Sequence, residues 1–168
     1  VIKVHSEDEK MIWLASNLNN LPGTGLIYTG TRVDTEIYAQ WLNFVGVSSI
    51  DYNAGLDTQT RRDIEDGLRT NKWKCVVSTN ALGMGIDKPD VRFVVHFDVP
   101  DGPEAYFQEA GRGGRDGNRA YAVLLWNSSD IRRLHQITTV SFPSLEYVED
   151  IYHKVHIFFE IPYDTGEG

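Results

Sequence analysis

Residues 108–117 read QEAGRGGRDG and set Arg112 and Arg115 three positions apart among Gly111, Gly113, Gly114 and Gly117. A guanidinium is a permanent cation whose planar fork matches phosphate or carboxylate oxygens two at a time. Glycine loses more backbone freedom on folding than any other residue, so this density of glycine is unfavourable unless the backbone must approach something closely. Grip on a phosphate chain fits both features. Three earlier segments have the same character: GLIYTGTR at 25–32, YNAGLDTQTR at 52–61 and VSTNALGMGID at 77–87. Each supplies hydroxyl, amide or glycine N–H donors, with carboxylates sparse near the glycines, as phosphate binding requires.

The elements that must position these segments follow from hydrophobic periodicity. Ser6 with Glu9 is a capping box opening a helix with apolar Met11, Ile12, Leu14 and Leu18, stopped near Pro22 and Gly23. TGLIYTG reads as a buried strand. The following TRVDTEIYAQWLNFVG reads as a helix with Val33, Ile37, Trp41 and Val45 at helical spacing and Gly46 at its end. VSSIDYN is a strand, and TQTRRDIEDGLRTN a helix with Ile64 and Leu68 inward. KCVVSTN is a strand, and VRFVVHFDV is a strand apolar enough to be covered on both faces, as in a parallel sheet. GPEAYFQEAG is a short helix with Pro103 early and Gly111 at its stop. AYAVLLWN closes the series before a helix from about Ser128 to Ile137.

Such alternation predicts right-handed βαβ units and a three-layer α/β/α sandwich with a mainly parallel sheet, plus a C-terminal helix. Ligands in these sheets bind at the carboxyl ends of strands. The loops after Gly30, Asn53, Asn80 and Pro100 are therefore expected along one edge. The sandwich is expected to occupy 1–138. Residues 139–168 are read as a helical extension, since Pro143 precedes a stripe of Leu145, Val148, Ile151 or Tyr152, Val155 and Phe158 or Phe159. Val1 opens inside the apolar run VIKV with no initiator methionine, and the chain is read as an excised fragment.

With 24 acidic against 16 basic residues the formal charge is −8, so any nucleic-acid contact must be local and not a basic coat. The single Cys75 excludes an internal disulfide and a cysteine-rich zinc site; it is read as a buried thiol in a reducing, cytoplasmic setting. No apolar run reaches the ~20 residues of a membrane span. Blander readings stand beside the sharp ones. Arg112 and Arg115 could be surface charges paired with Glu109 and Asp116, Asp87 a turn cap, and Thr79 and Asn80 strand-end caps. Thr31 could be both an anion donor and a helix cap. His153 and His156 lack a third metal ligand nearby, and His96 reads as a core or boundary histidine.

Taken together, the segments resemble the second RecA-like lobe of a superfamily 2 helicase, and more narrowly the RecQ family of DNA helicases, over roughly Lys3 to His135. GLIYTGTR resembles motif IV, YNAGL the segment after it, VSTNALGMGIDKPDVRFVVHFDVP motif V with its strand, and YFQEAGRGGRDG motif VI. The joined run from Val77 to Gly117 carries the RecQ likeness. The resemblance implies that Arg115 is an arginine finger toward the γ-phosphate, with Arg112 beside it and Gln108 organising the contact. It implies that Gly85 and Asp87 face the nucleotide, and that Thr31, Arg32, Tyr52, Gly55, Thr79 and Asn80 face the DNA backbone. ATP and Mg²⁺ would be held mainly by an N-terminal lobe of the same parent chain, and DNA, as a single strand or duplex junction, would be the partner. The family also implies 3′ to 5′ movement, and nucleoid association if the source is bacterial.

Three departures stand out. Asn53 replaces a usual His, Gly114 a frequent Ala (a small change), and no cysteine follows His135, so either this member is of a branch without the zinc module, the favoured reading, or the module lies elsewhere in the parent chain. GxxxxGK[ST] and DExH are both missing, so the chain alone is not expected to hydrolyse ATP. The rival readings are the lobe of an RNA helicase or DNA translocase, and a non-catalytic nucleic-acid-binding module.

Overall fold

The structure, a computed structural model, describes residues 1–80 and 87–141, with side chains to 138. The segment 81–86 and everything after 141 lie outside the described residues. That includes the helix expected beyond Pro143, His153 and His156, and most of the 139–168 extension.

Six strands form one sheet: β1 (Ile2–Lys3), β2 (Gly25–Tyr28), β3 (Ser49–Tyr52), β4 (Cys75–Ser78), β5 (Phe93–His96) and β6 (Tyr121–Trp126). Their order is β1-β6-β5-β2-β4-β3, and every pairing is parallel. The helices are α1 (Glu7–Asn17), α2 (Arg32–Phe44), α3 (Thr58–Arg69), α4 (Pro103–Ala110) and α5 (Ser128–Ser141). β1 was not anticipated as a strand. Two residues carry little periodicity, and only pairing with β6 (Ile2 beside Leu125, Lys3 beside Trp126) makes them one. α5 also runs past the expected end at Ile137.

Residue contacts divide the chain into Val1–Asp130 and Ile131–Gly168. The first unit holds the sheet, α1 to α4 and the start of α5; among described residues the second holds the rest of α5.

Within the first unit, alternation along the central strands feeds two cores. Ile27, Val77, Phe93 and Val95 join Leu14 and Leu18 and the α2 residues Tyr38, Ala39 and Leu42 on one face. Leu26, Tyr28, Val76 and Val94 join Ile64 and Leu68 of α3 on the other. Period-two side-chain direction in the strands dictates this split. Ile64 and Leu68 point inward as expected.

α2 turns a different stripe to the sheet than its apolar spacing suggests, and α1, which buries Leu14 and, at its C-cap, Leu18 as expected, departs at two positions. α2 buries Thr35, Tyr38, Ala39 and Leu42 and leaves Val33 63% and Ile37 51% exposed. Thr35 is suited to the inward stripe because its hydroxyl donates to the Arg32 carbonyl at 2.6 Å and accepts from Asn53 Nδ2 at 3.1 Å. In α1, Ile12 is 61% exposed while Lys10 is wholly buried. Lys10 Nζ donates to Asp130 Oδ2 at 2.7 Å and to the Phe97 carbonyl at 2.6 Å. Breaking such a buried pair by removing one partner costs about 3–5 kcal/mol. Cys75 is buried, and burial pushes its thiol up to about 12.

Candidate nucleotide and nucleic-acid site

Because all strands run parallel, the carboxyl ends of β2, β3, β4 and β5 share one edge, and the residues after them meet there. Thr31 caps α2: its Oγ1 accepts from the Asp34 amide at 3.2 Å and donates to Asp34 Oδ2 at 2.6 Å. The cap reading of Thr31 therefore holds, at a helix N-terminus whose amides favour anions. Arg32 is exposed on the first turn of α2, and its guanidinium lies where a Cβ on Gly55 would sit. A side chain at position 55 would displace the Arg32 guanidinium from that place. Two expected DNA-facing residues, separated by β3 in sequence, are thus in contact.

Asn53, in place of the expected His, builds this turn. It is 1% exposed; its Oδ1 accepts from the Gly55 amide at 3.0 Å and its Nδ2 reaches Thr35 on α2. Tyr52 is turned inward, 6% exposed, and its hydroxyl donates to Glu65 Oε1 at 2.7 Å. Burial first, then Glu65, pushes its phenol up to about 12. Tyr52 thus fastens the turn to α3. Thr79 is 9% exposed, whereas Asn80 and Asp87 are exposed. Gly85 lies outside the described residues.

After β5 the chain turns at Asp98, whose Oδ2 accepts from the Gly30 amide at 2.7 Å and so ties the β2 turn to β5. Burial raises the Asp98 carboxyl above the ordinary range, against the opposing Gly30 N–H and Lys10. α4 then begins with Pro103 in its first turn and carries an exposed Gln108. The loop holding Arg112 and Arg115 does not stay at the strand edge, contrary to the expectation of four loops there. It runs back along the sheet face toward the start of β5: the Gly114 amide donates to the Val91 carbonyl at 2.9 Å and the Asp116 amide to Pro89 at 3.0 Å. The reason is topological. β6 is parallel to β5, so the chain must return to the amino edge before β6 starts. Gly114 makes the bend at φ +65, and a Cβ there would lie 2.7 Å from the Asn118 carbonyl.

Glu109 and Asp116 have other partners than the two arginines. Glu109 Oε2 meets His96 Nε2 at 2.8 Å, and Asp116 pairs with Arg92, which with the Asn118 amide holds its carboxyl well below the ordinary range. Arg115 is exposed and its Nε donates to the Gly111 carbonyl at 3.1 Å. Beneath the loop, Tyr28 stacks on His96 with ring centroids 5.3 Å apart. Burial raises the Tyr28 phenol, with Arg112, Glu109 and Arg115 as its charged neighbours.

The description helicase conserved C-terminal domain matches residues 9–117. An ATP-dependent DNA helicase RecQ of Pasteurella multocida is 45% identical over 114 residues, which are 68% of this chain and 18% of that protein. The RecQ-like DNA helicase blm-1 of Caenorhabditis elegans is 40% identical over 117 residues, 69% of this chain and 12% of its own. The chain belongs to this family and is of the RecQ type. The probable ATP-dependent DNA helicase RecS of Bacillus subtilis is 35% identical over 144 residues, 85% of this chain and 29% of that one. This RecQ-type lobe thus spans less than a third of the length of these curated relatives.

Solved structures agree on the fold. The Escherichia coli DEAD-box protein SrmB, bound to regulator of ribonuclease activity A, matches with a TM-score of 0.72 at 23% identity over 76% of each chain. A DEAD box protein of Methanococcus jannaschii matches with a TM-score of 0.70 at 25% identity, over 82% of this chain and 38% of that one. The sandwich is therefore RecA-like.

What sequence reasoning missed in the RecQ-type lobe is the support under the site from Asp98 and Lys10, each committed to a partner far away in sequence, and the pairing of Glu109 with His96; periodicity carries no signal for any of these. Among the described residues no group of three or more His, Cys, Asp or Glu is placed to hold a metal ion, and no helix is long and apolar enough to cross a membrane.

Proposed function

We propose that this lobe is the second half of an ATP-driven motor that moves 3′ to 5′ on DNA, with Arg115 as the arginine finger. The observation that carries the reading is the arginine loop. Arg115 stands exposed on a backbone fastened to the segment ahead of β5, while the flanking carboxylates Glu109 and Asp116 are engaged by His96 and Arg92. A guanidinium presented in this way is available to phosphate oxygens supplied from outside the chain.

The donor set fits half of a nucleotide site. Arg112 and Arg115 would hold phosphate oxygens and Asp87 would accept from ribose hydroxyls. ATP supplies the phosphoryl group to be transferred. Arg115 stabilises the charge that develops on its equatorial oxygens, an effect worth ~10³–10⁵ in rate. Gln108, one turn before Arg112 on α4, orients the contact. Magnesium and the phosphate cradle belong to the N-terminal lobe, since this chain has neither GxxxxGK[ST] nor DExH. On the sheet edge, Arg32 over Gly55, Thr31 and Asn80 face the sugar–phosphate backbone, with the N-terminus of α2 adding fixed positive potential. The buried Tyr52 supports the turn.

Arg115→Ala in the two-lobed parent protein should reduce DNA-stimulated ATPase by about 10³-fold or more while DNA affinity stays within about twofold. Arg32→Ala should do the converse, weakening DNA binding without sequence preference and reducing the salt slope by about one. Steady-state turnover and fluorescence anisotropy at several salt concentrations read both. Near-normal turnover by Arg115→Ala would reject the finger assignment.

A further inference from the structure

We propose that His96 and Glu109 form a positioning pair that aims the arginine loop, a role that rests on the reading of Arg115 above. None of the residues of α4 is fully buried, so apolar packing alone fixes its rotation weakly. Its polar tie to β5 is the His96–Glu109 hydrogen bond of 2.8 Å, between side chains 1% and 13% exposed. The His96 N–H donates to a carboxylate in a nearly dry setting, where charge-assisted bonds are strong and directional. The imidazole is held on two sides, by the Tyr28 ring at 5.3 Å and 19° and by the Tyr106 ring of α4 at 5.1 Å.

From Glu109 the chain reaches Arg112 three residues later and Arg115 six residues later. The far side of the loop is already fixed, because Gly114 and Asp116 donate to Val91 and Pro89 ahead of β5. The loop is therefore anchored at both ends, on its far side by the segment leading into β5 and by His96 of β5 at the end where α4 enters. Without it the far anchor remains, but the turn of α4 that sets the direction of Arg112 and Arg115 loses its polar restraint. His96 touches no reacting atom in this account and acts through Glu109.

The test uses the two-lobed parent protein with His96→Leu, His96→Gln, Glu109→Leu and the Leu–Leu double variant. His96→Leu should lower kcat for DNA-stimulated ATP hydrolysis about tenfold, with KM for ATP and DNA affinity within about twofold. His96→Gln, whose amide can still donate to Glu109, should recover most of the loss. The double variant should lose no more than the worse single one, since the two residues act as a unit. An unchanged kcat in His96→Leu, a glutamine as damaging as leucine, additive losses, or a kcat loss matched by equal losses of DNA affinity and melting temperature would each overturn the pairing. Should His96→Leu fail to fold, Glu109→Leu on the less buried helix reports the same coupling. Arg115→Ala run alongside separates the two claims. Intact turnover there defeats the finger, whereas lost turnover there with normal kcat in His96→Leu defeats only the positioning pair.

Discussion

Gly114 stands where the family frequently has Ala, a change that reads as small from sequence, and the geometry gives it more weight. At φ +65, with the Asn118 carbonyl 2.7 Å from any added Cβ, Gly114→Ala should destabilise the lobe by about 1–3 kcal/mol and lower ATPase with it. A urea midpoint equal to that of the parent would show that the loop has another conformation available. Asp98 offers a second test. Its carboxyl is raised by burial, so the protonated form favours folding. That contribution is full below the unfolded value of about 3.9 and is lost as pH rises through the higher folded value. At pH 7 the carboxylate is thus a net cost. Asp98→Asn, which keeps an oxygen for the Gly30 amide, should raise the melting temperature by a few degrees at pH 7, the gain shrinking as pH falls toward 4. A lower midpoint at pH 7 would mean that attraction to Lys10 outweighs burial. Neither effect is visible in residue type, because one depends on a dihedral angle and the other on what surrounds a carboxylate.

Among the elements, the strands were the most legible part. LIY, CVV and FVVH are short β-branched or aromatic runs bounded by turn residues, and a parallel sheet buried on both faces leaves them no other pattern. α3 was read correctly because its sparse apolar residues, Ile64 and Leu68, admit only one inward stripe. The inward stripe of α2 was not, since Val33 and Ile37 extend from the core-packed Trp41 as a plausible stripe beside the one used. Hydrogen bonds from Thr35 and packing of Tyr38 on Phe97, with centroids 4.4 Å apart, decide between them. Lys10 was missed for a related reason: its partner Asp130 lies 120 residues away. The site was half legible. The arginines, Arg32 and Gly55 were named from sequence, but the contact between Arg32 and Gly55 and the course of the arginine loop along the sheet face, which depends on the parallel return to β6, were not. That return is a property of topology and not of the motif.

For the whole molecule, the division of labour predicts that this chain by itself turns over no ATP above a blank, and that mixing or fusing it with the N-terminal lobe restores DNA-dependent turnover. A malachite-green phosphate assay on the purified chain, with and without that lobe, decides this; steady turnover by the chain alone would refute the two-halves reading. The acidic balance of −8 bears on the same scale. On the proposed reading, attraction to DNA would be confined to the sheet edge, leaving the lobe free to release between steps. The double anchoring of the arginine loop has a mechanical consequence. β5 is hydrogen-bonded along its length to β2 and to β6, so a pull on the loop would load both ladders in shear, many bonds at once, and not peel them singly. On the proposed reading the strand would serve as a tie-rod, passing a load on the arginine loop to the turn after β2 as a rigid displacement.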